Sequence, residues 1–295
     1  MLIWRLILGV SFAAALAGLC WLDYHADPPG AWLFPLALLL SGLMSAETAA
    51  LVGPRASTPL TATIVAGCLL VIGMSGVPYL WPGYPTNSPI GPLGWPLLGL
   101  AAGSLLAIVD QILRFRQAGP ATVNIALAVF SMVYVGVLLS FAIALRMVLP
   151  GGAGMVALIS MLVTVKMGDI GAYTVGRLIG RTKLAPVLSP GKTWEGAAGA
   201  ALFASLGSYL VLGPFATWID LPIRPGWPAI IVYGLLIAVT GLVGDLAESL
   251  LKRDAGVKDS SHWMPGFGGV LDLLDSILFA APVAYLFWLF LLHDV

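Results

Sequence analysis

Charge is what this sequence lacks most. Of its 295 residues only 9% are Asp, Glu, Lys or Arg, while 59% are hydrophobic. A soluble domain carries about 25% charged residues, so a water-soluble globule is excluded. Cysteine is scarce too. Cys20 and Cys68 both sit in apolar runs, which excludes a disulfide framework and a thiolate metal site. Lys plus Arg and Asp plus Glu are 14 each, so net charge points to no acidic partner, and no nucleic acid is expected. No segment alternates with period two as a barrel strand does. No internal repeat suggests a transporter built from inverted halves.

Long apolar runs are what the chain has. Nine segments approach the roughly 20 residues needed to cross a hydrocarbon core, near 2–21, 32–53, 60–80, 93–112, 121–149, 154–176, 194–215, 228–251 and 269–292. Backbone groups must be satisfied within the segment in lipid, so these are helices. The fold class is therefore all-α, a polytopic transmembrane bundle of about nine spans. The first run holds Arg5 and is rich in Ala, as a signal peptide is, but further spans follow and it reads as a retained helix. Leu19 before Cys20 argues against a lipoprotein signal.

Basic residues orient the bundle. The even-numbered loops hold Arg55, Arg114, Arg116, Arg177, Arg181, Lys183, Lys192, Lys252, Arg253 and Lys258. The odd-numbered loops hold Arg146 and Arg224. Ten against two puts the even loops and the N-terminus in the cytoplasm, as in a bacterial inner membrane. Charge is unevenly shared along the chain, which divides it into an N-terminal scaffold, 1–150, and a chemically active half, 151–295. Ionisable groups in or beside a span are costly and mark function by default.

Three constellations fall in the second half. Lys166, Asp169 and Tyr173 lie at steps of three and four inside the sixth span, on one helical face. They suit a polar cavity, or a self-neutralised structural pair. The sixth loop carries Arg177, Arg181, Lys183 and then Ser189-Pro190-Gly191-Lys192-Thr193-Trp194-Glu195-Gly196. Cations and small hydroxyls beside a helix start suit an anion. A Walker phosphate loop is excluded, because Pro186 replaces its first glycine and no strand is expected before it. Third, Gly241, Asp245, Glu248 and Lys252 form one stripe on the eighth span, followed by Arg253, Asp254, Lys258 and Asp259. Glu248 and Lys252 also fit a plain ion pair. The ninth span opens with Asp272 and Asp275, three apart on one face. Carboxylates beside cations suit a metal–nucleotide site, and the want of His or Cys ligands favours a hard metal.

These blocks, in this order, resemble the CDP-diacylglycerol synthases, or phosphatidate cytidylyltransferases. The resemblance rests on Asp169-Ile170-Gly171-Ala172-Tyr173, on Ser189 to Gly196, on Gly244-Asp245-Leu246-Ala247-Glu248-Ser249, and on Lys252-Arg253-Asp254 through Lys258-Asp259, Pro265-Gly266 and Gly268-Gly269 to Asp272 and Asp275. It covers about residues 166–276.

The resemblance implies transfer of a cytidylyl group from CTP to phosphatidic acid. It implies Mg²⁺ on Asp245, Asp272 and Asp275, with a second metal ion left open. Phosphate contacts would come from Lys192, Lys252, Arg253 and Lys258, with Ser189, Thr193 and Asp169 in support. The partners would be CTP, a lipid phosphate and membrane lipid, and a homodimer is compatible with this. Two positions depart from the family pattern: Phe267 stands where His is usual, and Leu273 where Arg is usual. They leave open a weakened enzyme or another lipid phosphate. A transporter using Lys166, Asp169 and Asp245 as an ion path is the alternative outside enzymes.

Overall fold

A computed structural model describes residues 2–81, 83–85, 88–116, 118–149, 152–219, 225–261 and 268–293. Its helices are α1 (Leu2–Tyr24), α2 (Leu33–Val52), α3 (Thr61–Ser75), α4 (Val77–Leu80), α5 (Gly91–Arg114), α6 (Ala121–Ser131), α7 (Leu138–Met147), α8 (Gly152–Ile179), α9 (Trp194–Leu210), α10 (Ala216–Trp218), α11 (Trp227–Asp254) and α12 (Val270–His293). Single π-helical turns, Met132–Val137 and Val211–Phe215, join α6 to α7 and α9 to α10 without breaking either rod.

The all-α membrane fold is as the composition requires. Among the described residues seven helices are long and apolar enough to cross a membrane. They match seven of the nine expected spans. Of the other two, α1 is a 23-residue apolar helix over the expected span 2–21, and Thr61–Ser75 is a shorter one. The expected span 60–80 is divided where Gly76 and Pro78 interrupt it, Pro78 opening the short α4. At about 1.5 Å per residue, α3 alone falls short of a roughly 30 Å core.

The chain clusters into two units. The first comprises Met1–Ala144 with Asp254–Leu273, the second Leu145–Arg253 with Leu274–Val295. The sequence division at 150 left the segment 254–273 with the second half, whereas here it groups with the first.

In the first unit α3 packs against α2 and α5. Glycines allow that approach: a Cβ on Gly99 would lie 2.7 Å from Val71 Cα, and one on Gly103 would lie 3.2 Å from Gly67 Cα. Such small-residue contacts replace the hydrophobic drive that lipid does not supply. The buried Asp23 carboxylate accepts from the N–H groups of Gly30, Trp32 and Leu33, capping the start of α2. Asn124 closes a polar knot, donating to Ser57, Thr58 and Gln111.

In the second unit α8 and α9 form an antiparallel pair joined by a hairpin of β1 (Lys183–Ala185) and β2 (Ser189–Thr193). Gly171 and Gly199 face each other, so that a Cβ on Gly199 would come 2.6 Å from Gly171 O. Ala200, Ala204 and Ala238 bring α11 into the same small-residue core. Ser208 Oγ donates to Ile230 O at 2.8 Å, tying α9 to α11.

The hairpin corrects the expectation that no strand precedes Gly191-Lys192-Thr193. A three-residue strand does precede it, but the pairing is antiparallel and Lys192 lies within β2. The backbone there is extended rather than wrapped round a phosphate, so the exclusion of a Walker loop stands.

Candidate active site

The second unit gathers charge from α8, the hairpin, α11 and α12. Gly244 makes the approach of α11 to α12 possible. A Cβ there would lie 2.6 Å from Asp275 O and 3.1 Å from Phe279 Cβ, so a larger residue would push apart the backbones that carry Asp245 and Asp275. Asp275 is buried at 6% exposure, and Ser276 N donates to its Oδ1 at 2.6 Å. Its carboxylate interacts electrostatically with Asp245, Lys166 and Asp169. Lys166 Nζ pairs with Asp169 Oδ2 at 3.1 Å.

Lys192 reaches in from β2, with Nζ 2.8 Å from Asp245 Oδ2. The Asp245 side chain is 43% exposed and that of Lys192 15%. Although close, the contact is a charge pair rather than a well-angled hydrogen bond, since the buried Nζ meets no acceptor in hydrogen-bond geometry among the described residues. An ammonium has three N–H donors to place, so Lys192 holds unspent donor capacity beside an acidic pair.

Other expected phosphate contacts are engaged locally. Lys252 Nζ lies 2.5 Å from Glu248 Oε2, and Glu248 is 1% exposed. This is the plain ion-pair reading of the eighth-span stripe. Arg253 Nε donates to Leu188 O at 3.4 Å, holding the hairpin to the end of α11. Thr193 Oγ1 accepts from Gly196 N at 3.0 Å and caps α9. Glu195 accepts from Thr182 N and Oγ1. Ser189 opens β2 half-buried, and Lys258 is exposed after α11.

Asp272 belongs to the first unit. Its Oδ2 accepts from Ser260 N at 2.9 Å, Ser260 Oγ at 2.5 Å and Gly269 N at 2.8 Å. Gly268, at φ +85°, passes so close that a Cβ would meet this carboxylate at 2.6 Å, which explains the glycine there. Arg55 pairs with Asp254 at 2.6 Å.

Sequence reasoning missed Glu47, a buried acid on α2 whose Oε1 accepts from Val270 N at 3.0 Å and whose Oε2 accepts from Leu271 N at 2.8 Å. A lone carboxylate within the second span was the available signal. Phe267 lies outside the described residues; Leu273 is half-buried on the first turn of α12.

The donor set suits a hard cation, being carboxylate oxygen without His or Cys. No cluster of three or more such ligands stands ready among the described residues. Mg²⁺ needs none, since it is usually held by one or two carboxylates with water and substrate phosphate completing the shell. Asp245 and Asp275, interacting and only partly offset by lysine, fit that pattern.

Comparison with known proteins settles the lineage. Residues 3–291 match the cytidylyltransferase family. This chain belongs to that family. Among its curated relatives is a phosphatidate cytidylyltransferase of Brucella suis, 42% identical over 134 residues, covering 45% of this chain and 47% of the relative. Against this and the other first matches the chain spans about half the length of the curated relatives. A phosphatidate cytidylyltransferase of Chlamydia pneumoniae is 30% identical over 278 residues, covering 87% of this chain and 85% of the relative. An uncharacterised Escherichia coli protein, YnbB, is 40% identical over 137 residues, 46% of this chain and 43% of its own.

Proposed function

We propose that the chain transfers a cytidylyl group from CTP to phosphatidic acid, giving CDP-diacylglycerol and pyrophosphate. The observation that carries this reading is Lys192: a buried ammonium with donors to spare, set beside the Asp245–Asp275 pair in a member of the cytidylyltransferase family. An anion at Lys192 would complete its hydrogen bonds, and Asp245 and Asp275 would hold a divalent cation that neutralises phosphate charge. The relatives named phosphatidate cytidylyltransferase supply the nature of the two substrates.

In the reaction a phosphate oxygen of the lipid forms a bond to the α-phosphorus of CTP, and the bond from that phosphorus to the pyrophosphate oxygen breaks. A phosphate monoester is largely dianionic near neutral pH, so no residue need act as a strong base. Positioning and neutralisation of charge do most of the work in such transfers. Asp245 and Asp275 would hold the metal, and Asp272 is the third carboxylate that the family resemblance assigns to it. The metal, when bound, neutralises phosphate charge and polarises the α-phosphate. Lys192 takes a phosphate oxygen. Lys258 and Arg253 are further phosphate contacts. Lys252, with Glu248, stiffens the end of α11, and Thr193 shapes the turn that presents Lys192. Lys166 and Asp169 flank the acidic pair on α8. The cytoplasmic side of a bacterial inner membrane supplies CTP, and the lipid arrives sideways from the inner leaflet.

The test is direct. Full-length protein in detergent micelles, given labelled CTP, Mg²⁺ and phosphatidic acid, should form labelled CDP-lipid and release pyrophosphate. Absence of both product and CTP binding overturns the reading.

A further inference from the structure

Glu47 is the only charged residue of α2. An ionised carboxylate in a membrane helix is costly unless it is hydrogen-bonded. Its partners come from far along the chain: Val270 N, Leu271 N and, at 3.1 Å, Ser260 Oγ. The first two are N–H groups that a helix start leaves without intrahelical partners, and negative charge is favoured there. Asp272 takes Gly269 N, the reciprocal bond of a capping box. The two carboxylates therefore share out the opening N–H groups of α12.

Ser260 links them. Its hydroxyl contacts both Glu47 Oε2 and Asp272 Oδ2 and has one proton to donate. Its backbone N–H bonds Asp272 as well. The packing leaves no slack, since a Cβ on Gly269 would overlap both Ser260 Oγ and Glu47 Oε2. If Glu47 moves, Ser260 or the first turn of α12 must move with it.

We propose that Glu47 is a positioning residue for the Asp272 carboxylate of α12 as a metal ligand. It anchors the first turn of the helix and, through Ser260, sets the direction of the Asp272 carboxylate. The proposal rests on the reading of Asp272 as a metal ligand. Groups that orient a metal ligand typically change metal affinity about 10- to 100-fold when removed. A carboxylate that merely filled a helix cap would change stability and leave metal affinity alone.

The experiment compares full-length wild-type protein, Glu47→Gln and Asp272→Asn in detergent, without nucleotide or lipid. Mn²⁺ binding is followed by electron paramagnetic resonance and folding by thermal melting. Glu47→Gln keeps the size but presents an amide where an N–H donor needs an acceptor. It should weaken Mn²⁺ binding about 10-fold or more in the folded protein, and raise the Mg²⁺ needed for half-maximal rate alike, with the lipid KM unchanged. If Asp272→Asn loses Mn²⁺ while Glu47→Gln binds it like wild type, the positioning role is overturned and the metal reading survives. If Asp272→Asn binds Mn²⁺ like wild type, the metal reading of that residue fails, and the proposal with it. Should Glu47→Gln not fold, Ser260→Ala carries the test. It removes the shared hydroxyl and leaves the bonds from Glu47 to α12. Weakened Mn²⁺ binding there supports the proposal, and wild-type affinity overturns it.

Discussion

Asp275 and Asp245 are alike in chemistry and unlike in setting. One is buried on α12, while the other is half-exposed and paired with Lys192. Removing either charge should stop turnover rather than folding. Asp275→Asn and Asp245→Asn should each lower CDP-lipid formation by about 10² or more, with melting temperatures close to wild type; near-normal rates in folded protein would refute the assignment. Lys192→Met should raise the KM for CTP. It should also leave Asp245 without its counter-ion, so Lys192→Arg should recover part of the loss. The positions that depart from the family pattern allow a complementary test. Phe cannot donate a hydrogen bond to phosphate, and Leu cannot grip one as a guanidinium does. If the chain is a weakened enzyme, Phe267→His with Leu273→Arg should raise CDP-lipid formation severalfold. If neighbouring groups already compensate, the double change should lower it.

At the scale of the element, glycines decide how near the charged helices come. Gly244 and Gly241 lie on one face of α11 and make a matched pair. A Cβ at Gly244 would collide with Asp275 O, whereas one at Gly241 would lie 3.7 Å from Ser276 Cβ, an ordinary contact. Gly244→Ala should destabilise the protein by about 1–3 kcal/mol and cut the rate. Gly241→Ala should be nearly silent in both melting and assay. Most helices were legible because apolar runs of this length have one solution in lipid. The hairpin was not: β1 has three residues, and Pro190 and Gly191 in β2 are residues that strands avoid. Nor was the break between α3 and α4, where a proline within an apolar run outweighs its hydropathy. In the cluster, Asp245, Asp275 and Lys192 were legible from residue type and spacing. The role of Glu47 was not, because its partners at Val270 and Leu271 lie more than 220 residues away in sequence and only folding joins them.

For the whole molecule the distribution of charge sets an orientation. The ten-to-two distribution of basic residues predicts that the hairpin and the segment after α11 face the cytoplasm. With Cys20 and Cys68 changed to Ser, a cysteine introduced at Val187, which is 93% exposed, should resist an impermeant maleimide in intact cells and react in inverted vesicles. Labelling in intact cells would reverse the topology.

The pairing of charges also bears on how such a chain enters a bilayer at all. Lys166 with Asp169, and Glu248 with Lys252, each lie within a single helix at one-turn spacing. Each helix can therefore leave the translocation machinery as a dipole rather than as two bare ions, and no later segment is needed to lower the cost of insertion. Lys192 and Asp245 are different, for their ion pair joins a hairpin to a helix completed some sixty residues later. Until α11 emerges, Lys192 must wait in water. The order of synthesis thus separates charges that make insertion tolerable from the pair that can form only when the site itself is built.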